Sequence, residues 1–337
     1  MPSAYRLSII TVNFNGFSDT CALIESLPVR TDMEVIVVDN GSRVDEAAQI
    51  AARYPQVHAI RSEQNLGFAG GNNLGIQAST GQYLLFINND TEFIYEGDSA
   101  DKAERDQAIN AQIDALIQRM EGDTEIGPKD GRTAKGETES GPANHAEIGM
   151  ICPKIRFFWG SRPIQFAGFT PLSRITLRNR GIGYGEEERG QYDAANPTPY
   201  AHGAAMMVRR SALDQVGLMP ECYFLYYEEL DWSVNFTRHG YEIWYDPCCT
   251  IYHKESRTTG QDSPLKIYYI SRNRLLFAQR NIAAPVRYLT YAYLIGIVAV
   301  RDLLKLSLHG RFAQCKALLN GLSDFAKGRQ GYRSFSR

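Results

Sequence analysis

Short apolar runs that end in polar clusters alternate with helical spacings along the first ninety residues. Residues 7–12 are rich in β-branched side chains and run into Asn13-Phe14-Asn15-Gly16; residues 33–38 repeat the pattern and end in Asp39-Asn40-Gly41-Ser42. Leu23, Ile24 and Leu27 follow the first run at helical spacing, and the alanine-rich stretch 44–54 predicts a helix after the second. Strand, polar turn and helix, repeated, predict right-handed βαβ units and a parallel sheet. Residues 57–61 follow with another short run. Tyr83-Leu84-Leu85-Phe86-Ile87 is an uninterrupted apolar run, entered from Thr80-Gly81 and ended by Asn88-Asn89-Asp90, the pattern of a buried parallel strand. Polar groups at the carboxyl ends of such strands face the crevice where open α/β sheets bind ligands, so Asn13, Asn15, Asp39, Asn40 and Asp90 are expected there.

Farther along, Asn65-Leu66-Gly67-Phe68-Ala69-Gly70-Gly71-Asn72-Asn73-Leu74-Gly75 reads as a glycine-dense entrance to a short helix, where backbone approaches a ligand closely and a diphosphate finds a cradle. Residues 101–121 carry Ile109, Ile113, Leu116, Ile117 and Met120 on one helical face. Residues 122–147 hold almost no large apolar side chain and predict a mobile surface loop. A strand resumes over 148–158, and the Arg- and Gly-rich stretch 160–199 predicts an irregular excursion near the site entrance. Small residues at 201–205 feed a strand, with Ser211 as the N-cap of the helix after it. Residues 241–247 and 250–253 read as a short strand pair ending in His253, and the chain is helical from Leu265.

Composition narrows the class. With 337 residues and 44% hydrophobic side chains, the chain suffices for one large domain or two smaller ones with a real core. A formal charge of -2 gives no reason to expect a nucleic-acid partner. The six cysteines are scattered without a Cys-x-x-Cys, which points away from a zinc site or a disulfide framework and toward a reducing compartment. No charged leader with an apolar core opens the sequence, so the catalytic part is expected to be cytoplasmic. The uncharged run 288–300 is shorter than the roughly 20 residues a membrane span needs. Because Lys305, Arg311, Lys316, Lys327, Arg329, Arg333 and Arg337 follow it, it reads either as a helix lying on an anionic membrane surface, peripheral to it, or as a plain packing helix.

Candidate chemistry sits in four places. Asp90, with no basic residue near it in sequence, either ligates a hard cation such as Mg²⁺ or Mn²⁺ or closes an Asx turn. Asp39 either hydrogen-bonds a base or ribose or caps the next helix. Glu228, Glu229 and Asp231 fall within four positions directly after the aromatic run 224–227. They read either as a general base in an aromatic pocket or as an acidic helix N-terminus. If Glu229 opens a helix, Asp231 and Trp232 turn to other faces. His253, alone, is either structural or a ligand.

Taken together, six stretches resemble the second sequence family of inverting glycosyltransferases with the GT-A fold, in its rhamnosyltransferase-like branch. They are Thr11-Val12-Asn13-Phe14-Asn15, Val38-Asp39-Asn40-Gly41-Ser42, the run from Asn65 to Asn73, Asn88-Asn89-Asp90, Gly203-Ala204-Ala205-Met206 and Tyr227-Glu228-Glu229-Leu230-Asp231. The resemblance implies an α/β fold with a mixed, mainly parallel sheet flanked by helices, and a C-terminal helical tail. It divides the chain into a catalytic domain over 1–260, with a nucleotide-sugar half at 1–93 and an acceptor half at 148–260, and a helical region over 261–337. By resemblance, Asp39 contacts the base, Asp90 and His253 hold Mg²⁺ or Mn²⁺, and Thr11, Asn13, Asn15, Asn40, Asn65, Gly70, Asn73, Asn88 and Asn89 line the donor site. His202, Gly203, Ala204 and Trp232 border the acceptor. Glu229 takes the base position, where the family usually has Asp, so Glu228 and Asp231 stay in contention. The implied donor is a nucleotide-diphosphate sugar, dTDP-rhamnose at branch level, and the implied acceptor a glycan or polyprenyl-linked glycan of a surface polysaccharide.

Other classes fit less well. A sugar nucleotidyltransferase lacks here its Gly-rich, Arg- and Lys-bearing loop, and a dinucleotide-dependent oxidoreductase lacks its Gly-x-Gly-x-x-Gly. A non-catalytic nucleotide-sugar or glycan-binding protein would use the same strand ends.

Overall fold

The computed structural model describes residues 5–97, 101–122, 147–255 and 263–333. All but the two ends of the expected loop over 122–147 lie outside the described residues. The first half alternates as its pattern predicts: β1 (Leu7–Asn13), α1 (Phe17–Ser26), β2 (Met33–Asn40), α2 (Glu46–Arg53), β3 (His58–Ser62), α3 (Gly67–Ala78) and β4 (Tyr83–Ile87). Then come the short β5 (Thr91–Glu92), the long α4 (Lys102–Glu121), β6 (Ile148–Phe157), β7 (Ile164–Phe166), β8 (Asn196–Pro197) and β9 (Ala205–Arg209). The helices α5 (Arg210–Val216) and α6 (Glu228–Arg238) lead to β10 (Glu242–His253).

One sheet of ten strands runs in the order β3-β2-β1-β4-β9-β6-β10-β5, with β7 on β6 and β8 on β10. The first four strands are parallel, as βαβ units dictate. β9 then enters antiparallel between β4 and β6, β10 returns parallel to β6, and β5 pairs antiparallel with β10. The sheet is therefore mixed and mostly parallel. All five apolar residues of β4 are buried, and α4 buries the predicted stripe of Ile109, Ile113, Leu116, Ile117 and Met120 against β6 and β10.

Two local expectations are corrected. The strand pair at 241–253 is one strand, β10, with an irregularity in its register between Asp246 and Thr250. Pro247 has no N–H for the ladder, and the next amide, of Cys248, is taken by Asp246 Oδ1 at 2.9 Å. Ser211 is not an N-cap: α5 begins one residue earlier, at Arg210, whose side chain donates to Gly81 O and Ser79 Oγ, each at 2.7 Å.

The C-terminal region is helical: α7 (Pro264–Asn281), α8 (Val286–Tyr291), a π-helical stretch (Ala292–Ala299), α9 (Val300–Leu308) and α10 (Phe312–Ala326). α7 packs mainly against α10 and touches α6. Among the described residues no helix is long and apolar enough to cross a membrane.

Candidate active site

The carboxyl ends of β1 and β2 are filled by a closed hydrogen-bond network. Asn13 Nδ2 donates to Glu46 Oε2 at 2.7 Å and Asp39 Oδ1 at 3.3 Å, while its Oδ1 accepts from Thr20 Oγ1 at 2.8 Å. Asp39 is fully buried and uses both oxygens: one accepts from Asn13 and Ser42 N, the other from Glu46 N at 3.2 Å and Arg61 Nη1 at 3.1 Å. The N-cap of α2 is Asp45, and Asp39 holds the amide of the following residue. Asn40 ties β2 to the start of α3, accepting from Leu66 N and donating to Gly67 O, each at 2.9 Å, and to Asn65 Oδ1. Asn15 is exposed at φ 52°, its Oδ1 accepting from Arg43 N. Thr11 Oγ1 is buried without a partner.

The glycine-rich helix departs from expectation. A Cβ on Gly75 would stand 2.3 Å from Ile10 Cγ2 and one on Gly71 2.8 Å from Val12 Cγ1, so these glycines let α3 lie directly on β1. Gly67 is at φ 75°, its Cβ position 2.1 Å from Phe224 O. The amides of Gly67 and Phe68 are taken by Asn65 Oδ1 and Phe224 O, so they present no diphosphate cradle. Gly70 is buried with its Cβ position against Leu66. Asn73 is a tether to the chain before α6: it donates to Met219 O and Glu221 Oε1 and accepts from Met219 N.

At the tip of β4 the chain turns tightly, Asn88 O accepting from Thr91 N at 3.2 Å and Thr91 Oγ1 at 2.7 Å. Asn89 Nδ2 donates to Thr20 Oγ1 at 3.0 Å, which joins this tip to the network around Asn13. Pairing of Thr91 with His253 between β5 and β10 brings Asp90 and His253 together, with Asp90 Oδ1 3.1 Å from His253 Nε2. His253 Nδ1 meets Gln165 Oε1 at 2.9 Å. A carbonyl oxygen only accepts, so Nδ1 donates there, which makes Nε2 the ring nitrogen that would ligate a cation beside the Asp90 carboxylate. A carboxylate and an imidazole nitrogen this close are donor types that fit a bound divalent cation. Among the described residues no group of three or more His, Cys, Asp or Glu is arranged to ligate a metal. A hard divalent ion on this pair would complete its shell with ligand and water oxygens.

The site continues through β9. Asn88 N donates to Ala204 O at 2.9 Å, placing the segment 202–204 beside the β4 tip. His202 packs on Phe166, with ring centroids 5.0 Å apart, and stacks on Phe169 at 6.0 Å. Burial, with the neighbouring His253 adding to it, pushes its pKa down to about 3, so the ring is neutral. Its Nδ1 accepts from Ala204 N at 3.1 Å, which leaves the hydrogen on Nε2. Gly203 comes next: a Cβ on it would stand 3.8 Å from both Glu229 Cδ and Phe68 Cζ. Asp90 thus meets His253, His202 lies close enough to feel His253, and Gly203 next to it lies against Glu229.

α6 opens at Glu228 after Tyr227 and puts Glu228, Glu229 and Asp231 in its first turn. Burial raises the Glu229 carboxyl above its ordinary range. Glu228 is 3% exposed and rises well above its own, through burial first and the nearby Glu229 second; its Oε2 has no partner. Asp231 is not with them. It accepts from Arg280 Nε at 2.6 Å and Asn281 Nδ2 at 2.5 Å on α7, so it ties the two helices together and leaves contention as the base. Trp232 is also corrected: it is fully buried, donates to Gly217 O at 2.9 Å and packs edge-on against Phe86 and Phe236. It is core, not an acceptor wall. Gln165, Arg61 and Glu46 are partners that the sequence pattern did not single out.

Residues 8–124 match the family described as glycosyl transferase family 2. The chain carries a glycosyltransferase family 2 domain. It is 27% identical over 304 residues to the low-salt glycan biosynthesis hexosyltransferase Agl10 of Haloferax volcanii, covering 88% of this chain and 84% of that protein. It is 25% identical over 271 residues to the N-acetylglucosaminyl-diphospho-decaprenol L-rhamnosyltransferase of Mycobacterium tuberculosis, covering 76% and 78%. Among solved structures, GalNAc-T7 with UDP, GalNAc and Mn²⁺ superposes with a TM-score of 0.55 over 88% of this chain at 14% identity; the match spans 57% of that longer chain. The sheet is of the GT-A type, and the protein is a glycosyltransferase.

Proposed function

We propose that this glycosyltransferase moves a hexosyl residue, rhamnose from dTDP-rhamnose, with inversion and with a divalent cation, to a hydroxyl of a polyprenyl-linked glycan in surface polysaccharide synthesis. The observations that carry the reading are the Asp90 and His253 pair, His202 close enough to feel His253, and Gly203 lying against Glu229, whose carboxyl burial raises. Glu229 takes the proton of the acceptor hydroxyl as that oxygen attacks the anomeric carbon. The bond from that carbon to the diphosphate oxygen breaks on the opposite face, and its electron pair leaves with the diphosphate. Asp90 and His253 would hold Mg²⁺ or Mn²⁺, which when bound would supply charge neutralisation for that leaving group. Gln165 keeps the His253 ring turned toward Asp90, and Asn89 fixes the turn that carries the carboxylate. Neutral His202 offers its Nε2 hydrogen to the acceptor side.

The rhamnosyl group and the lipid-linked acceptor follow the name of the Mycobacterium tuberculosis relative, and the name of Agl10 supports hexosyl transfer. A lipid-linked acceptor also suits the C-terminal helices. Leu289, Ile297, Val300, Leu304 and Leu308 recur every three to eight residues and are exposed, Leu308 to 86%, with Arg301 and Lys305 beside them. Such a face fits an anionic membrane surface on which the helices lie. The test is release of nucleoside diphosphate from a panel of sugar nucleotides, with and without Mn²⁺ and a prenyl-diphosphate-linked N-acetylglucosamine acceptor. Acceptor- and metal-dependent release from dTDP-rhamnose is expected. Binding without turnover of any donor would favour a carbohydrate-binding role.

A further inference from the structure

We infer that Arg272 and Asn273 form a clamp that positions Glu229 by holding the backbone that leads into α6. The inference rests on Glu229 being the base. The segment before α6 is strained, with Phe224, Tyr226 and Tyr227 at φ of 69°, 69° and 81°. Bulky aromatic residues keep left-handed backbone only where the surroundings over-determine it.

What determines it is capture of four consecutive carbonyls from outside the segment. Tyr223 O accepts from Arg272 Nη2 at 2.7 Å and Asn273 Nδ2 at 3.0 Å. Leu225 O and Tyr226 O accept from the same Asn273 amide at 2.7 and 3.0 Å, and Phe224 O accepts from Phe68 N at 2.9 Å. Arg272 Nε donates to Asn273 Oδ1 at 2.9 Å. With its oxygen taken, the Asn273 amide must turn its nitrogen toward the carbonyls.

Arg272 is 1% exposed, yet among the described residues no carboxylate pairs with it. Its charge meets the carbonyls of Tyr223 and Gly331 and the rings of Tyr268 and Tyr269, 5.4 and 5.0 Å away. Packing of α7 does not require this arrangement, because Leu275, Leu276, Phe277 and Ala278 already bury that helix. The held segment ends at Tyr227, two residues before Glu229, so the direction in which α6 starts fixes where that carboxylate lies over Gly203.

The test pairs turnover with amide hydrogen exchange, which needs no substrate. With dTDP-rhamnose as donor and short-chain prenyl-diphosphate N-acetylglucosamine as acceptor, Asn273→Ala is expected to lower kcat about 100-fold, as a small misplacement of a reacting group does. The dissociation constant for dTDP-rhamnose stays within about threefold, and the amides of 225–230 exchange faster, because only the clamp has been released. Should Asn273→Ala not fold, Asn273→Ser, which keeps one donor, carries the same comparison, and Arg272→Lys gives a smaller loss of the same kind. Faster exchange at 225–230 with kcat near wild type would overturn the clamp, as would unchanged exchange, or parallel losses of kcat, donor affinity and melting temperature. Full activity of Glu229→Gln would instead overturn the base assignment beneath it.

Discussion

At the carboxyl ends of β1 and β2, Asn13, Asp39 and Glu46 hydrogen-bond one another; at the first turn of α6, Glu228 is buried beside a half-buried Glu229, and Glu228 Oε2 has no partner. One region is closed by its own hydrogen bonds and the other holds carboxyls whose charge burial penalises. A saturated network gives a rigid rim of fixed shape. A desolvated carboxylate is a stronger base toward a proton that must leave, and it stays so only if the fold holds it out of water. On the proposed function, the comparison separates residues that shape the site from those proposed to react in it.

The difference can be broken at the tip of β4 first. Asp90→Ala is expected to lower transfer by about a thousandfold or more, since it removes the carboxylate proposed, with His253, to hold the cation that balances the diphosphate. It should also abolish the Mn²⁺ dependence of donor binding, measured by calorimetry. Gln165→Leu leaves Asp90 and His253 in place but frees the imidazole, and a loss of about tenfold or more in Mn²⁺ affinity is expected, as for other partners of metal-binding histidines.

Glu228→Gln sharpens the contrast, because it removes the more buried acid and leaves the proposed base. Turnover should stay within a few-fold of wild type. Both carboxyls are raised, so the folded protein holds these protons more tightly than the unfolded chain. Their contribution to stability is therefore full below the ordinary carboxylate pKa and is lost as pH rises through the raised values. Activity runs the other way, rising over the same interval as Glu229 ionises. Glu228→Gln should accordingly melt higher than wild type at neutral pH and lose that advantage toward pH 4. The smallest effect on activity is expected on the saturated side: Arg61→Ala strips one partner from buried Asp39 and should cost about 2 kcal/mol in denaturant unfolding, with kcat nearly unchanged.

The parts of this cleft that were legible in sequence are those that a local period encodes. β4 announces itself because five consecutive apolar residues stop at Asn88, and the α4 stripe because its apolar residues recur every three or four positions. What no local period encodes is set by pairing across long separations, and the Asp90 and His253 pair was reached through the resemblance alone. Asp90 meets His253 only because β5 and β10 run antiparallel, and Gln165 reaches that imidazole from a short strand inside a stretch with no period at all. The glycines of α3 carried an ambiguous signal, since close approach to a ligand and close approach to Ile10 and Val12 both demand a missing Cβ. Trp232, placed at the acceptor by resemblance, lies one turn from Glu228 on α6 and faces Phe86 in the core.

The account turns on Glu229 as the group that accepts the acceptor's proton, and one measurement addresses it directly: donor binding and acceptor-dependent nucleoside diphosphate release by Glu229→Gln, side by side with wild type. The amide keeps the shape and cannot take a proton, so release should fall by about a hundredfold or more while donor affinity is retained. Release within a few-fold of wild type would contradict the assignment and move the base elsewhere on the cleft.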